Sequence, residues 1–265
     1  MIDTHCHIDD PSYAEELDEL IARQKERGVE MILVPGVNLE SCTTVPAVCA
    51  QYPDFLHPAL GLHPEDVQAD WKEALAKIHE TVFHFAELFP VSSPLCAIGE
   101  IGLDYHFSTE FKAEQHEVLR EQLGWAIELN LPVMIHSRDA TEDTLHIIRE
   151  YYEKSGRTLR GVMHCYSGSR ETAEQYLKMG FKLGIGGVLT FKNSRLAETL
   201  KTVPLDALVL ETDGPYMAPV PHRGERNESW WMTYVADRLA EIYQIDKNDV
   251  IAATNATARA LFALK

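Results

Sequence analysis

Short apolar runs and longer amphipathic segments alternate along this 265-residue chain, which predicts an α/β fold, specifically a (β/α)8 TIM barrel in a single domain over residues 1–265. Three observations support this prediction. Eight short runs have the apolar, β-rich composition of strands. Segments with the 3.6-residue period of a helix lie between them. The chain length also suits a barrel of this kind, which takes roughly 250 residues.

The predicted elements follow in order along the chain. The predicted strands are the eight apolar runs 1–4, 30–35, 56–60, 95–99, 132–135, 161–163, 181–185 and 207–210. The predicted helices are the amphipathic segments 11–26, 65–89, 110–129, 140–152, 170–179, 194–200, 230–243 and 249–264. In the first helix, for example, Leu17, Leu20 and Ile21 recur at the spacing of one helical face.

A doubly wound sheet is the competing α/β architecture, but no glycine-rich dinucleotide turn follows an early strand. Gly184, Gly186 and Gly187 come late, in the seventh predicted strand, where a tight strand end is a better interpretation than a phosphate-binding loop. The one long irregular stretch, 214–227, follows the eighth strand. Long loops of this kind are usually functional or disordered.

Composition limits the function classes. The 41 acidic and 24 basic residues give a formal net charge of −17, which argues against broad coating of a nucleic-acid duplex. A polyanionic substrate would therefore have to be attracted by metal ions and a few local cations. No apolar run approaches the roughly 20 residues of a membrane span. The five scattered cysteines form no CxxC pair, and no signal peptide is visible, so we expect a soluble cytoplasmic protein.

Two histidines, His5 and His7, stand one residue apart at the end of the first strand, where alternate side chains share a face. Further polar residues follow the ends of other predicted strands. They are Glu100, His136, His164 and Asp213, the last in the run Glu211-Thr212-Asp213. Barrel enzymes keep their active sites at these strand ends. Four histidines and two carboxylates exceed what one ion with open positions needs, so two divalent ions sharing a bridging carboxylate are the simplest arrangement.

Five runs of the sequence closely resemble the TatD-type metal-dependent deoxyribonucleases, a branch of the amidohydrolase-like barrels. They are DTHCH at 3–7, GEIGLDY at 99–105, HSR at 136–138, HCYSG at 164–168 and ETDGPY at 211–216. The resemblance implies one metal ion held by His5, His7 and Asp213. It implies a second ion held by His136 and His164, with Glu100 bridging the two. The ions would be Mg, Mn or Zn.

The resemblance also extends to residues on the substrate side. His63, in the run Gly61-Leu62-His63-Pro64, looks like the family's substrate-side histidine. The loop that ends at Asn227 is similar to the family's segment before the last helices, which makes Asn227 a further candidate for substrate binding. The family usually continues there with an acidic residue and a proline, whereas this chain has Glu228-Ser229.

Phosphodiester hydrolysis is consistent with these residues. Asp213 could take the proton from the attacking water and pass it to the leaving oxygen. Arg138 could pair with a phosphate oxygen in a forked geometry, and Arg138 and His63 would orient the phosphate. Each has a structural alternative. Arg138 could pair instead with Asp139 or Glu142, and His63, before a proline, could simply cap a loop.

We therefore expect a divalent-metal-dependent deoxyribonuclease, most simply a 3'-5' exonuclease on single-stranded DNA ends. DNA is the expected partner, with no membrane and no obligate protein partner. Two other functions stay open. An ester or amide hydrolase on the same barrel, acting for example on an aminoacyl-tRNA linkage or a small amide, would use the same metals. A non-catalytic metal-binding protein would show bound metal without turnover.

Overall fold

Eight short strands alternate with helices in the computed structural model, which describes residues 1–265. The strands are β1 (Ile2–Asp3), β2 (Met31–Pro35), β3 (Leu56–Leu60), β4 (Ala97–Asp104), β5 (Val133–Arg138), β6 (Gly161–Met163), β7 (Lys182–Ile185) and β8 (Leu208–Leu210). The α-helices are α1 (Leu17–Glu26), α2 (Ser41–Gln51), α3 (Trp71–Phe83), α4 (Phe85–Leu88), α5 (Lys112–Glu128), α6 (Thr141–Lys154), α7 (Arg170–Lys178), α8 (Leu196–Leu200), α9 (Met232–Tyr243) and α10 (Lys247–Phe262). The strands form one sheet in the order β1 to β8. The predicted (β/α)8 barrel is confirmed. None of the helices combines the length and the apolar composition that crossing a bilayer requires.

Two strands run further than the sequence pattern predicts. The pattern places Glu100 and His136 just beyond their strands, but both lie inside them, because β4 continues to Asp104 and β5 to Arg138. In β4 the register shifts between Ile98 and Ile101, and the pairing with β5 then resumes. The apolar signal stops at Glu100 although the strand continues, and this explains the wrong boundary.

The helix α2 is absent from the predicted elements. Pro46 lies inside it, and Thr43, Thr44 and Val45 are β-branched, so its intrinsic helix propensity is low. Packing overrides this preference, since Val45 and Cys49 are fully buried.

The chain divides into two compact units. The first unit comprises Met1–Val34, Cys165–Leu177 and Lys182–Lys265, and the second comprises Pro35–His164 and Lys178–Phe181. In the first unit, α10 packs on β8 and β1. In the second unit, β3 to β6 pair in parallel, and α5 packs on β4. The single domain over residues 1–265 stays a prediction.

Candidate metal centre

His5, His7 and Asp213 lie together in the first unit. The chain stays extended after β1, because the N–H of His7 donates to the carbonyl of Gly214 at 2.8 Å and Cys6 forms a parallel bridge with the same residue. The rings of His5 and His7 therefore share a side, with centroids 5.1 Å apart. Asp213 Oδ1 is 3.9 Å from Nε2 of His5 and 3.6 Å from Nε2 of His7. We call these three residues the first ligand group.

The backbone of Asp213 is fixed in an unusual conformation. Its φ of 59° lies in the left-handed region, which is uncommon for non-glycine residues. Its N–H donates to the carbonyl of His5 at 2.8 Å. The Asp213 side chain is 21% exposed, whereas that of His5 is fully buried, so the carboxylate lies at the solvent side of the group.

Asp3 holds the backbone of the first ligand group through hydrogen bonds, a role that the sequence pattern does not indicate. Its Oδ1 accepts the N–H of His5 and the N–H of Thr212, both at 3.1 Å, and its Oδ2 accepts the Thr212 hydroxyl at 2.6 Å. Asp3 thus ties the segment that carries His5 to the segment that carries Asp213. Complete burial raises the pKa of its carboxyl to about 7, although the hydrogen bonds favour the charged form.

Glu211, next along the chain from β8, is a second buried carboxylate of the first unit. Its Oε1 accepts the N–H of Cys165 at 2.5 Å. A Cβ at Gly184 of β7 would lie 2.0 Å from Glu211 Oε2, so a larger residue there would displace the Glu211 carboxylate. Gly184 therefore leaves room for the Glu211 carboxylate within β7.

Glu100, His136, His164 and His63 lie together in the second unit, and we call them the second ligand group. Glu100 Oε1 is 3.1 Å from Nδ1 of His136, 3.6 Å from Nε2 of His63 and 3.8 Å from Nε2 of His164. The donor atoms of His63, Glu100 and His136 all lie within 4.8 Å of one another. Imidazole nitrogens and carboxylate oxygens at this spacing suit a divalent first-row ion or Mg²⁺.

Asp104 holds His136 in place. Its Oδ2 lies 2.7 Å from Nε2 of His136, on the opposite edge of the ring from Glu100, and its Oδ1 accepts the N–H of His106 at 2.8 Å. Asp104 is only 3% exposed. Ligand histidines commonly bond a carboxylate through their second nitrogen, which fixes the orientation of the ring. Asp104 lies within the GEIGLDY motif, but the sequence pattern does not indicate this role.

These two carboxylates change the protonation of His136. Burial disfavours the charged imidazolium, but the hydrogen bonds with Asp104 and Glu100 outweigh it and raise the pKa of His136 to about 9. The pKa of Asp104 is lowered despite its burial, because His136 and the N–H of His106 donate to it. A metal ion that binds His136 at neutral pH must therefore displace a proton.

A glycine allows β4 and β5 to approach closely at this point. Gly102 pairs with His136 in the sheet, and a Cβ at Gly102 would lie 1.9 Å from the His136 carbonyl oxygen. Its φ of 154° is also one that other residues rarely adopt. The glycine thus brings the strand of Glu100 and Asp104 against the strand of His136.

The predicted substrate residues have different surroundings. His63 is buried, and its Nδ1 accepts the N–H of Glu65 at 3.2 Å, so it caps a loop and also faces Glu100. Arg138 is exposed at the end of β5, with its guanidinium 4.7 Å from the ring centroid of Phe107. Asp139, which could have paired with Arg138, instead contacts His106.

Asn227 is fully buried and braces the loop after β8. Its amide donates to the carbonyls of Thr212 at 2.9 Å and Tyr216 at 2.8 Å, and its oxygen accepts the N–H of Glu228. Its contact with substrate stays a prediction. After Asn227 the chain has Glu228-Ser229, and Arg23 donates to the Glu228 carboxylate through two nitrogens at 3.0 and 2.7 Å.

Comparison with known proteins identifies the family. The profile described as "TatD related DNase" matches residues 2–263. This chain belongs to the TatD-related DNase family. One relative within it, "Uncharacterized metal-dependent hydrolase YabD" of Bacillus subtilis, is 39% identical over 263 residues, which cover 99% of this chain and 98% of that protein. The "3'-5' ssDNA/RNA exonuclease TatD" of Erwinia tasmaniensis is 30% identical over the whole of both chains.

A solved structure of the TatD family has the same fold. The crystal structure of YJJV, a TatD homologue from Escherichia coli K12, superposes with a TM-score of 0.89 at 30% identity, covering 100% of this chain and 98% of that one. The resemblance predicted from the five sequence motifs is thus confirmed. Which residues bind metal, and how many ions they hold, stay predictions.

Proposed function

We propose that this TatD-family protein is a metal-dependent hydrolase that cleaves phosphodiester bonds in DNA, acting as a 3'-5' exonuclease on single-stranded ends. The observation that carries the proposal is the pair of ligand groups, each built from histidines around a buried or half-buried carboxylate. The family profile and the exonuclease name of the Erwinia tasmaniensis relative support the nucleic-acid substrate.

The two groups would hold two divalent ions. His5, His7 and Asp213 would ligate one ion and His136 and His164 the other, with Glu100 shared, as the family resemblance implies. When bound, such ions lower the pKa of water and stabilise charge on the oxygens of an in-line displacement.

The remaining chemistry falls to side chains of this chain. Asp213, at the solvent side of the first ligand group, takes the proton of the attacking water and returns it to the leaving oxygen. Asp104 keeps the His136 ring oriented while its protonation changes. His63 faces Glu100 through Nε2, and Arg138 offers a forked pair of donors for a phosphate oxygen.

The net charge of −17 restricts the kind of substrate that can bind. Long-range attraction of a duplex is unfavourable for such a protein, so the phosphates must be held locally, by metal ions and by exposed cations such as Arg138. A strand end offers fewer phosphates to be repelled than a duplex does, which favours the single-stranded substrate.

The test is cleavage of single-stranded DNA labelled at either end, with Mg²⁺, Mn²⁺ or Zn²⁺ added and with a chelated sample for comparison. We expect a ladder that starts at the 3' end, requires metal, and falls more than about 100-fold in rate in His136→Ala, since even residues that only orient a ligand account for about 10–100-fold. His146→Ala is the matched control, because His146 is exposed on α6.

Two results would contradict the proposal. Undiminished cleavage by His136→Ala would show that the activity is not that of this site. Absence of cleavage by protein that demonstrably binds metal, together with turnover of an ester or amide substrate, would assign the site to the alternative hydrolase.

A further inference from the structure

Phe107 is the most exposed of the chain's large hydrophobic side chains. It follows β4 by three residues and is 72% exposed. Single exposed apolar residues are ordinary on protein surfaces. Phe107 is distinguished by its surroundings, because one guanidinium group and one imidazole ring contact its ring.

The first of these groups is the guanidinium of Arg138, whose Cζ is 4.7 Å from the Phe107 ring centroid. The second is the His106 imidazole, which meets the Phe107 ring edge-on, with centroids 4.8 Å apart and planes at 79°. His106 is held in turn by Asp139, whose Oδ2 lies 2.9 Å from Nδ1 of His106. Asp139 therefore contacts His106, while the Arg138 guanidinium contacts the aromatic ring.

The position of this surface relative to the second ligand group is set by the sheet. Arg138 is two residues beyond His136 on β5, so it lies on the same side of the strand, about 7 Å further along. Asp104 pairs with Arg138 in the β4–β5 register, and it bonds both His136 and the N–H of His106. Arg138 and Phe107 therefore lie directly beyond the parts of β5 and β4 that carry His136 and Glu100.

We propose that Phe107 stacks against a nucleobase of the substrate strand while Arg138 binds the adjoining phosphate, so that these two residues form the nucleotide-binding platform of the site. The inference rests on the proposed function. An aromatic face stacks on any base, and a planar guanidinium beside it binds phosphate through two donors, which together suit a single strand of any sequence.

Two tyrosines that follow strands β4 and β6 are less suited to the role. The hydroxyl of Tyr105 bonds Asp143 at 2.9 Å and His116 at 2.6 Å, which locks its ring. Tyr166 is 6% exposed, and its hydroxyl donates to the carbonyl of Ser169. Both hydroxyls are therefore engaged within the protein.

The experiment uses a phosphorothioate-linked single strand with 2-aminopurine at its 3' end, added to the metal-loaded protein. We expect the fluorescence of the base to be quenched on binding to the wild type and to Phe107→Trp, and not on binding to Phe107→Ala. The dissociation constant should rise about 5- to 150-fold in Phe107→Ala, the range found for loss of one stacked base. Val91→Ala is the matched control, since Val91 is 70% exposed on the same unit and lies before β4.

A second strand, in which the terminal nucleotide has no base, identifies the contact. If Phe107 stacks on that base, the wild type binds the abasic strand as weakly as Phe107→Ala binds the intact strand. Phe107→Ala then does not raise the dissociation constant for the abasic strand any further. Matched DNA and RNA strands are both used, and the pattern on either supports the inference. Equal affinities of Phe107→Ala and Val91→Ala for both strands, or a Phe107→Ala defect that persists on abasic strands, would overturn it.

Failure of the proposed function gives a different result. If the protein binds the 2-aminopurine strand and quenches its fluorescence but never cleaves the phosphodiester counterpart, the nuclease proposal is refuted and the nucleotide-binding platform is supported. A protein that cleaves the strand while Phe107→Ala behaves as wild type loses the platform and keeps the nuclease assignment.

Discussion

Metal binding at the second ligand group should release a proton from His136 at a pH where an ordinary histidine has none to release. With its pKa at about 9, His136 is about 90% protonated at pH 8, whereas a histidine of ordinary pKa, about 6.5, is about 3% protonated. We therefore expect about 0.9 proton to be released for each ion that binds His136 at pH 8. Competition with this proton weakens the apparent metal affinity at pH 7 by about 100-fold relative to a pH well above 9, or about 3 kcal/mol.

Calorimetric titration of Mn²⁺ into metal-free protein at pH 8, in two buffers of different ionisation enthalpy, measures the released protons. His136→Gln gives the background from the other ligands and should release about one proton fewer. Histidine ring resonances of the metal-free protein give an independent midpoint, which should lie near pH 9 and fall in Asp104→Asn, because one of the two carboxylates that hold the charge is removed. Equal release from wild type and His136→Gln at pH 8 would refute the reasoning.

Three further predictions concern other parts of the chain. In chelated samples, Asp3→Asn should gain stability relative to wild type by about 1.4 kcal/mol per pH unit as pH rises from 4 to 7. The reason is that the wild-type carboxyl, with a folded pKa of about 7, binds a proton more tightly in the folded state, and this stabilisation is lost over that window. Urea unfolding that shows a constant difference in the free energy of unfolding would exclude this. Glu228→Ala should destabilise the fold by about 2–3 kcal/mol through the lost hydrogen bonds of Arg23, seen as a lower Tm, and an equal change in the exposed control Glu26→Ala would contradict it. Elemental analysis after dialysis should find two ions per chain in wild type, about one in His5→Ala and none in Glu100→Ala, and two retained ions in Glu100→Ala would rule out a shared ligand.

The sequence predicts strand boundaries correctly where the buried residues are also apolar. β3 and β6 begin and end at the residues that the apolar pattern predicts. The pattern fails along β4, where Glu100 and Asp104 are buried although they are polar. Their burial is possible because histidines supply hydrogen-bond partners. The apolar pattern of the strand itself cannot reveal those partners, since they lie elsewhere in the chain.

The same limit applies to the site. The candidate ligands stand out as polar residues that follow or interrupt apolar runs, so the sequence reveals them. The residues that hold them do not stand out, because their partners are distant in sequence: Asp3 bonds Thr212, 209 residues away, and Asp104 bonds His136, 32 residues away. A sequence signal does exist for both, since each is an acidic residue within a motif that carries a ligand.

The two oxygens of Asp104 connect a predicted metal ligand with the start of the loop after β4. One oxygen anchors a ligand histidine, and the other anchors the first turn of the loop after β4. Because Asp104 holds the ligand independently of the residues beyond that anchor, we expect changes in the length or aromatic residues of the loop to leave His136 in place. Relatives could thus acquire new substrate preferences by altering residues after His106 while inheriting the same hydrolytic chemistry, and the loop after β4 is where such divergence should be sought.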